Sequence, residues 1–298
     1  MHIVKRLCRQ ALVLISCCSL GWSWGPDGHQ IVARMAALNL NANAANRVAA
    51  ILGASLDTLS DEMAHASTWA DLIRLSHKET GGWHYVDIPR DQPSGKPGDF
   101  CANSDCVSFR LADFASRLAS NNPGPNNWTA VQQLKFLIHF AGDIHQPLHC
   151  ASNSDKGGNC IFVSGGKNAN LHHVWDGEIL LQVLTTDNAM AQQLSTQFNA
   201  LADAKKAEML AGTPDDWAVE SHQLALSKAY GLVRPRIKVM NPQIEVNDCK
   251  TQAPAGIQSL KLKLSPAYFT QTEPVVEAQL MKAGARLANM LNTIWPAN

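Results

Sequence analysis

The chain has 298 residues, of which 46% are hydrophobic, so it can form one sizeable core without division into several domains. Lysine plus arginine and aspartate plus glutamate each number 25, which leaves no net charge at pH 7. This balance excludes a protein that holds nucleic acid mainly through an extended basic surface.

The first 23 residues have the pattern of a secretory signal peptide. Three basic residues precede an apolar run that is too short to span a bilayer, and small residues occupy the two cleavage-site positions. Cleavage after Ser23 would remove three basic residues and no acidic one, so the net charge of 0 would become −3. We therefore expect a cleaved signal peptide at 1–23, one mature domain at 24–298, and a secreted or periplasmic protein with no membrane insertion after cleavage.

Helical periodicity dominates the mature chain, which predicts a mainly α fold. Turn-rich sequence separates the helices, an extended segment is predicted at Trp83–Ile88, and the apolar run at Cys160–Val163 suggests a short β-hairpin. Helices are predicted near Gly28, around Val48–Leu52, from Ser60 to Ile73, from Cys106 to Leu118, from Thr129, through His172, from Asp187 to Leu201, from Thr213, and from Thr272 to Ile294.

Five cysteines follow the signal segment, and export to an oxidising compartment favours disulfides between them. Sequence proximity pairs Cys101 with Cys106 and Cys150 with Cys160, which leaves Cys249 without an evident partner. Zinc held by cysteine is the alternative, but the chain contains no C-x-x-C pair.

The helix before Pro147 carries the first sign of a metal site. His139 and Asp143 are four residues apart, so they project from one helical face, and the helix break at Pro147 delivers His149 from a new direction. His172 and Asp176 repeat the same spacing. A single histidine on an apolar helix is more often a hydrogen-bonded core residue, but two such pairs favour a metal cluster.

The candidate ligands are imidazoles and carboxylates without thiolates, which suits zinc. They are too many for one tetrahedral ion, so several ions are expected, and adjacent zinc ions can activate water and neutralise a phosphate. Phosphate ester hydrolysis is the natural chemistry of such a site. The candidates are His29, Asp71, His84, His139, Asp143, His149, His172 and Asp176.

The sequence resembles the zinc-dependent, single-strand-specific nucleases and 3′-nucleotidases of the S-one/P-one type, and more distantly the bacterial zinc phospholipases C. Together the matching motifs are specific, and they span most of the mature chain in the family's order. They are Trp24–His29, Trp69–Arg74, His84–Asp87, His139–His149 and Asn170–Asp176.

The resemblance implies a single-domain helical fold of the phospholipase C and nuclease type, with three zinc ions. The first ion would be held by Asp71, His84, His139 and Asp143. The second would share Asp143 and take His29 and the amine and carbonyl of Trp24. The third would take His149, His172 and Asp176.

The resemblance also implies the roles of the remaining site residues. Asp143, which bridges two of the ions, and Arg74, which steadies phosphate charge, would be the catalytic residues. Tyr85 would stack on an unpaired base and Asp87 would accept from base N–H groups; ordinary residues of a short strand are the alternative for this pair. Asp176 is followed by Gly177–Glu178, where fungal members carry a substrate-contacting polar residue.

The expected function is hydrolysis of single-stranded DNA and RNA to 5′-phosphorylated products, with removal of 3′-phosphate from nucleotides, by a monomer that binds no duplex stably. The alternatives are a zinc phospholipase C and a non-catalytic secreted zinc-binding protein. Trp24 must carry a free α-amine to bind zinc, because a backbone amide is no such donor.

Overall fold

The computed structural model describes residues 24–124, 126–164 and 170–297. The predicted signal peptide lies outside the described residues. Helices dominate, as the sequence predicts. They are α1 Pro26–Ala37, α2 Ala42–Leu52, α3 Leu59–Ser67, α4 Trp69–Ile73, α5 Val107–Ser120, α6 Ala130–Asp143, α7 Leu171–His173, α8 Asp187–Asn199, α9 Asp203–Leu210, α10 Pro214–Leu224, α11 Ala255–Gln258 and α12 Pro266–Ile294.

Helix α6 is the central element because its residues are almost all buried in its last two turns. Its start is fixed by a capping box, in which Thr129 and Gln132 satisfy each other's backbone N–H groups. Helices α1, α3, α5 and α12 pack around it. Phe136 and Phe140 stack within the core, and Phe114 of α5 stacks on Phe136 with ring centroids 4.9 Å apart.

The structure changes several predicted boundaries. The predicted helix from Ser60 to Ile73 is interrupted at Thr68, so Asp71 lies on the separate short helix α4. The extended segment predicted at Trp83–Ile88 is partly wrong, because Lys78–His84 forms a 3₁₀ helix and the chain becomes extended only at Tyr85. Helix α9 was not predicted, since its residues are all at least partly exposed and give no apolar stripe.

The β structure in the described residues is small and pairs differently from the expected hairpin. Strand β1 (Phe162–Val163) pairs in parallel with β2 (Lys261–Leu262), which is far away in sequence. A single antiparallel bridge joins Phe162 to Asn170. Strand β1 is therefore anchored by β2 in the C-terminal third of the chain as well as by Asn170.

One predicted disulfide is present and the other is wrong. Cys101 pairs with Cys106, as expected from their proximity. Cys160 pairs with Cys249 across 89 residues, and Cys150 is a buried free thiol. The short sequence separation of Cys150 and Cys160 gave the wrong pairing. Cys150 is fully buried, and its Sγ donates to the Ile144 carbonyl oxygen at 3.5 Å. In the described ranges no helix is both long enough and apolar enough to cross a membrane.

Candidate metal centre

Asp143, at the end of α6, lies at the centre of the site and is fully buried. Its Oδ2 atom is 2.9 Å from Nδ1 of His84 and 3.2 Å from Nε2 of His139, one helical turn earlier. Its Oδ1 atom is 3.4 Å from Nε2 of His29 on α1. One carboxylate therefore faces three histidines from three different elements.

Asp71 joins this group from helix α4. Its Oδ1 atom lies 3.8 Å from Nε2 of His139 and 3.9 Å from Nδ1 of His84. Arg74, three residues further on, donates to the same oxygen at 3.1 Å. Asp71 lies in α4, the short helix after the interruption at Thr68, and Arg74 is the C-cap residue of that helix.

A second group forms beside the first from residues after the α6 helix. His149 lies in a 3₁₀ turn at Pro147–Cys150, and its Nε2 atom is 3.2 Å from Nε2 of His172. Asp176 follows within a π-helical turn, with Oδ2 3.6 Å from His172 Nε2. His149 also connects the two groups, because its Nδ1 atom is 3.8 Å from Asp143 Oδ1.

Backbone carbonyl groups fix the tautomers of three of these histidines. Nδ1 of His139 donates to the Ser67 carbonyl at 2.6 Å, Nδ1 of His149 to His84 at 2.8 Å, and Nδ1 of His172 to Gly157 at 2.7 Å. A carbonyl oxygen only accepts, so each Nδ1 carries the hydrogen and each neutral ring presents an Nε2 lone pair to the centre.

The donor set fits cations. Three overlapping sets of buried side chains each have ligand atoms within 4.8 Å of one another, and they are His29, Asp71 and His139; His84, His139 and Asp143; and His149, His172 and Asp176. Two nitrogens on one tetrahedral zinc ion are separated by roughly 3.3 Å, given bonds of about 2.0 Å. The observed nitrogen separations, 3.1 Å for His84 and His139 and 3.2 Å for His149 and His172, match this geometry.

The charges at the site lead to the same conclusion. Burial opposes a proton on His139, but Asp143 and Asp71 outweigh it and raise the pKa of His139 to about 9. Burial lowers the pKa of His149 to about 3 and that of His172 to about 4. The first group therefore attracts positive charge, and the second presents neutral imidazoles to Asp176.

Trp24 lies next to the first group. Its side chain is fully buried, and its indole N–H donates to the Gly142 carbonyl at 2.9 Å. Gly142 must be a glycine here, because a Cβ at this position would lie 2.7 Å from Nδ1 of His29. The start of the predicted mature chain is thus held against the α6 turn that also supports His29.

A cavity of about 370 Å³ opens onto both groups. His84, His149 and His172 line it, together with Arg74. Tyr85, which is 39% exposed, and Asp87 line the same cavity from the extended chain after His84. Burial, with Asp155 and Glu245 adding to it, raises the pKa of the Asp87 carboxyl to about 7. Of the twelve residues predicted from the sequence, six line this cavity, and the other six belong to the buried groups or lie beside them.

The S1/P1 Nuclease family profile matches residues 24–296 of the chain. The chain belongs to the S1/P1 nuclease family. Endonuclease 1 of Arabidopsis thaliana is 28% identical over 95% of this chain and 90% of its own length. Nuclease P1 of Penicillium citrinum is 29% identical over 91% and 97%, and nuclease S1 of Aspergillus oryzae 27% over 98% of both chains.

This S1/P1 family member also has site residues that sequence reasoning missed. The Gln146 side chain donates to Asp176 Oδ1 at 2.6 Å and accepts from the Leu148 N–H, so it holds Asp176 in position. In the sequence, the only indication of this role was the position of Gln146 next to Pro147 and three residues before His149. His145 and His173 flank candidate ligands in the sequence, but within the described part of the chain neither forms a hydrogen bond or ion pair with a ligand side chain. His145 instead bonds to Ala141 and Arg286, and His173 is mostly exposed and lies near Glu178.

Proposed function

We propose that this protein is a trinuclear zinc phosphoesterase that hydrolyses single-stranded DNA and RNA to 5′-phosphorylated products and removes 3′-phosphate from nucleotides. The observation that carries the proposal is the convergence of imidazole lone pairs and carboxylates in a buried site. Acceptors that face each other at such distances need a cation between them. Imidazole and carboxylate ligands without thiolate favour zinc among the common dications.

The proposed ligand assignment divides the residues around Asp143 between two ions and gives the residues around His149 to a third. Asp71, His84, His139 and Asp143 would hold one ion, and Asp143, His29 and the terminal amine and carbonyl of Trp24 a second. His149, His172 and Asp176 would hold the third. When bound, the ions would supply positive charge at the phosphate and acidify water for attack.

The chain's own groups would position the substrate against that centre. Arg74 donates to Asp71 at 3.1 Å and lines the cavity, so its guanidinium can also bind a phosphate oxygen. The exposed ring of Tyr85 can stack on an unpaired base, and Asp87 can bond to the edge of that base. A base must leave its pair to enter, which supports single-strand preference without a basic groove.

The mature enzyme in this proposal is residues 24–298, exported after removal of residues 1–23 and active as a monomer. The start of the family match at residue 24 supports the boundary. The burial of Trp24 beside His29 also supports it, because an amine at this end of the chain would lie close to the first group.

A direct test measures zinc per chain together with hydrolysis of single-stranded DNA, duplex DNA and 3′-AMP by protein that begins at Trp24. We expect about three zinc ions per chain, loss of both activities on chelation, and recovery with zinc. Faster release from phosphatidylcholine than from 3′-AMP would favour a phospholipase C. Full zinc content without any hydrolysis would favour a binding protein.

A further inference from the structure

Exposed aromatic side chains are rare in the described part of the chain and are concentrated at one cavity. Among the Tyr, Phe and Trp side chains described, the exposed ones are Tyr85, Phe109 and Phe162, at 39%, 43% and 46%. Tyr85 and Phe162 line the cavity over the candidate ligands, whereas Phe109 lines a different one. An isolated exposed aromatic has no special meaning, but two at one substrate cavity require an explanation.

Phe162 is exposed although the backbone around it is firmly held. It pairs with Lys261 in the parallel β1–β2 ladder and bridges to Asn170 on its other side. The preceding residue, Ile161, is fully buried, and Cys160 is tied to Cys249 by the long-range disulfide. The ring is therefore presented to the cavity by a fixed segment and gains no burial in the core of the protein.

Two lysines line the same cavity as Phe162. Lys156 donates from Nζ to the Asn247 carbonyl at 3.3 Å, which leaves two further N–H groups for another acceptor. Lys250 also lines the cavity, next to the disulfide-bonded Cys249. Asp248 also lines the cavity, and its Oδ2 accepts from Thr251 at 2.7 Å and its Oδ1 from the Lys250 N–H at 3.0 Å. The wall thus combines an aromatic face with two cations and one locally bonded carboxylate.

We propose that Phe162, Lys156 and Lys250 form a subsite for a second nucleotide of a single strand, adjacent to the one whose phosphate is hydrolysed. Phe162 stacks on the base of the 5′ neighbour, and the lysines bind the intact phosphate that links this neighbour to the hydrolysed nucleotide. Single-strand binding proteins combine these two interactions because every base has a flat face and every link carries a charge. The inference rests on the proposed function and adds selection for polynucleotides over mononucleotides.

The test compares Phe162→Ala with Phe109→Ala, a matched exposed aromatic outside this cavity. For each variant, kcat/KM is measured on a short oligo(dA) and on 3′-AMP. Loss of one stacked base lowers the ratio of oligonucleotide to 3′-AMP activity by about tenfold in Phe162→Ala, through KM on the oligonucleotide. Phe162→Trp restores the ratio, and Phe109→Ala leaves it unchanged.

The lysines have a separate readout. Replacing Lys250 by glutamine reduces the slope of log(1/KM) for the oligonucleotide against log salt by about 0.7, the value for one phosphate contact on a single strand.

Equal losses of activity on the oligonucleotide and on 3′-AMP, or an unchanged activity ratio in Phe162→Ala, would overturn the subsite. If the wild-type protein hydrolyses neither substrate, the proposed function fails. Binding of labelled oligo(dA) to wild type and Phe162→Ala then tests the subsite alone, and equal affinities overturn it.

Discussion

The Nε2 atoms of His149 and His172 face each other at 3.2 Å while both rings donate their Nδ1 hydrogens to backbone carbonyls. Burial lowers the pKa of these rings to about 3 and about 4, so neither carries a second proton near neutral pH. Two lone pairs at this distance repel each other unless a cation satisfies both. The same relationship recurs among the carboxylates and imidazoles around Asp143, and it supports the proposal that cations occupy the site.

Asp143→Asn should abolish hydrolysis and lower the zinc content. The carboxylate faces His29, His84 and His139 from one position, and an amide supplies one weaker oxygen ligand in its place. We expect kcat to fall by at least about 10³-fold, because the residue contacts two of the proposed ions. Zinc per chain and hydrolysis of 3′-AMP are measured together. Asp91→Asn, an exposed carboxylate, is the control, and wild-type zinc content in Asp143→Asn would contradict the assignment.

One added residue before Trp24 should inactivate the enzyme. It converts the terminal amine, whose pKa is about 8, into a backbone amide, which does not give up its proton to bind zinc. The expected result is loss of one zinc ion per chain and of activity on both substrates. The control places a protease site in the extension, so that cleavage regenerates Trp24 and activity. Full activity before cleavage would refute the role of the chain end.

Base binding should depend on pH through Asp87. Burial, together with Asp155 and Glu245, raises the pKa of Asp87 from its usual value of 3.8 to about 7. The carboxylate therefore gains a proton as the pH falls through about 7 and stops accepting from base N–H groups. KM for 3′-AMP should rise below that pH, and Asp87→Asn should remove this dependence. An unchanged pH profile of KM in the variant would exclude Asp87 from base binding.

The two disulfides should contribute differently to stability. Cys160–Cys249 closes a loop with a sequence separation of 89, whereas Cys101–Cys106 closes one with a separation of 5. The longer loop loses more entropy in the unfolded chain when it is cross-linked. Replacing Cys160 and Cys249 by serine should lower the free energy of unfolding by about 2–4 kcal/mol. The matched Cys101 and Cys106 pair of substitutions should cost less, as measured by chemical denaturation.

Gln146→Leu should weaken the third metal position without unfolding the protein. The amide donates to Asp176 at 2.6 Å, and loss of such a partner typically costs 10–100-fold in metal affinity, so we expect about that range. Zinc titration of the chelated protein measures it. Gln182→Leu, on an exposed turn, serves as the control. Equal affinities in the two variants would show that Asp176 needs no support from Gln146.

The sequence by itself determined the helical class and the candidate ligands. The apolar periodicity around His139 and Asp143 could only place both on one helical face, and the Thr129 and Thr213 capping boxes marked two helix starts correctly. These signals are local, because a helix is defined by residues three and four positions apart. The pairing of Cys101 with Cys106 was readable for the same reason.

Only the tertiary structure decided which distant residues meet. The Cys160–Cys249 bond, the parallel pairing of Phe162 with Lys261, and the support of Asp176 by Gln146 have no local pattern in the chain. Their partners come together because the core buries the segments that carry them, and burial depends on the whole fold. The break at Thr68 was likewise invisible, since the sequence continues its helical pattern across it.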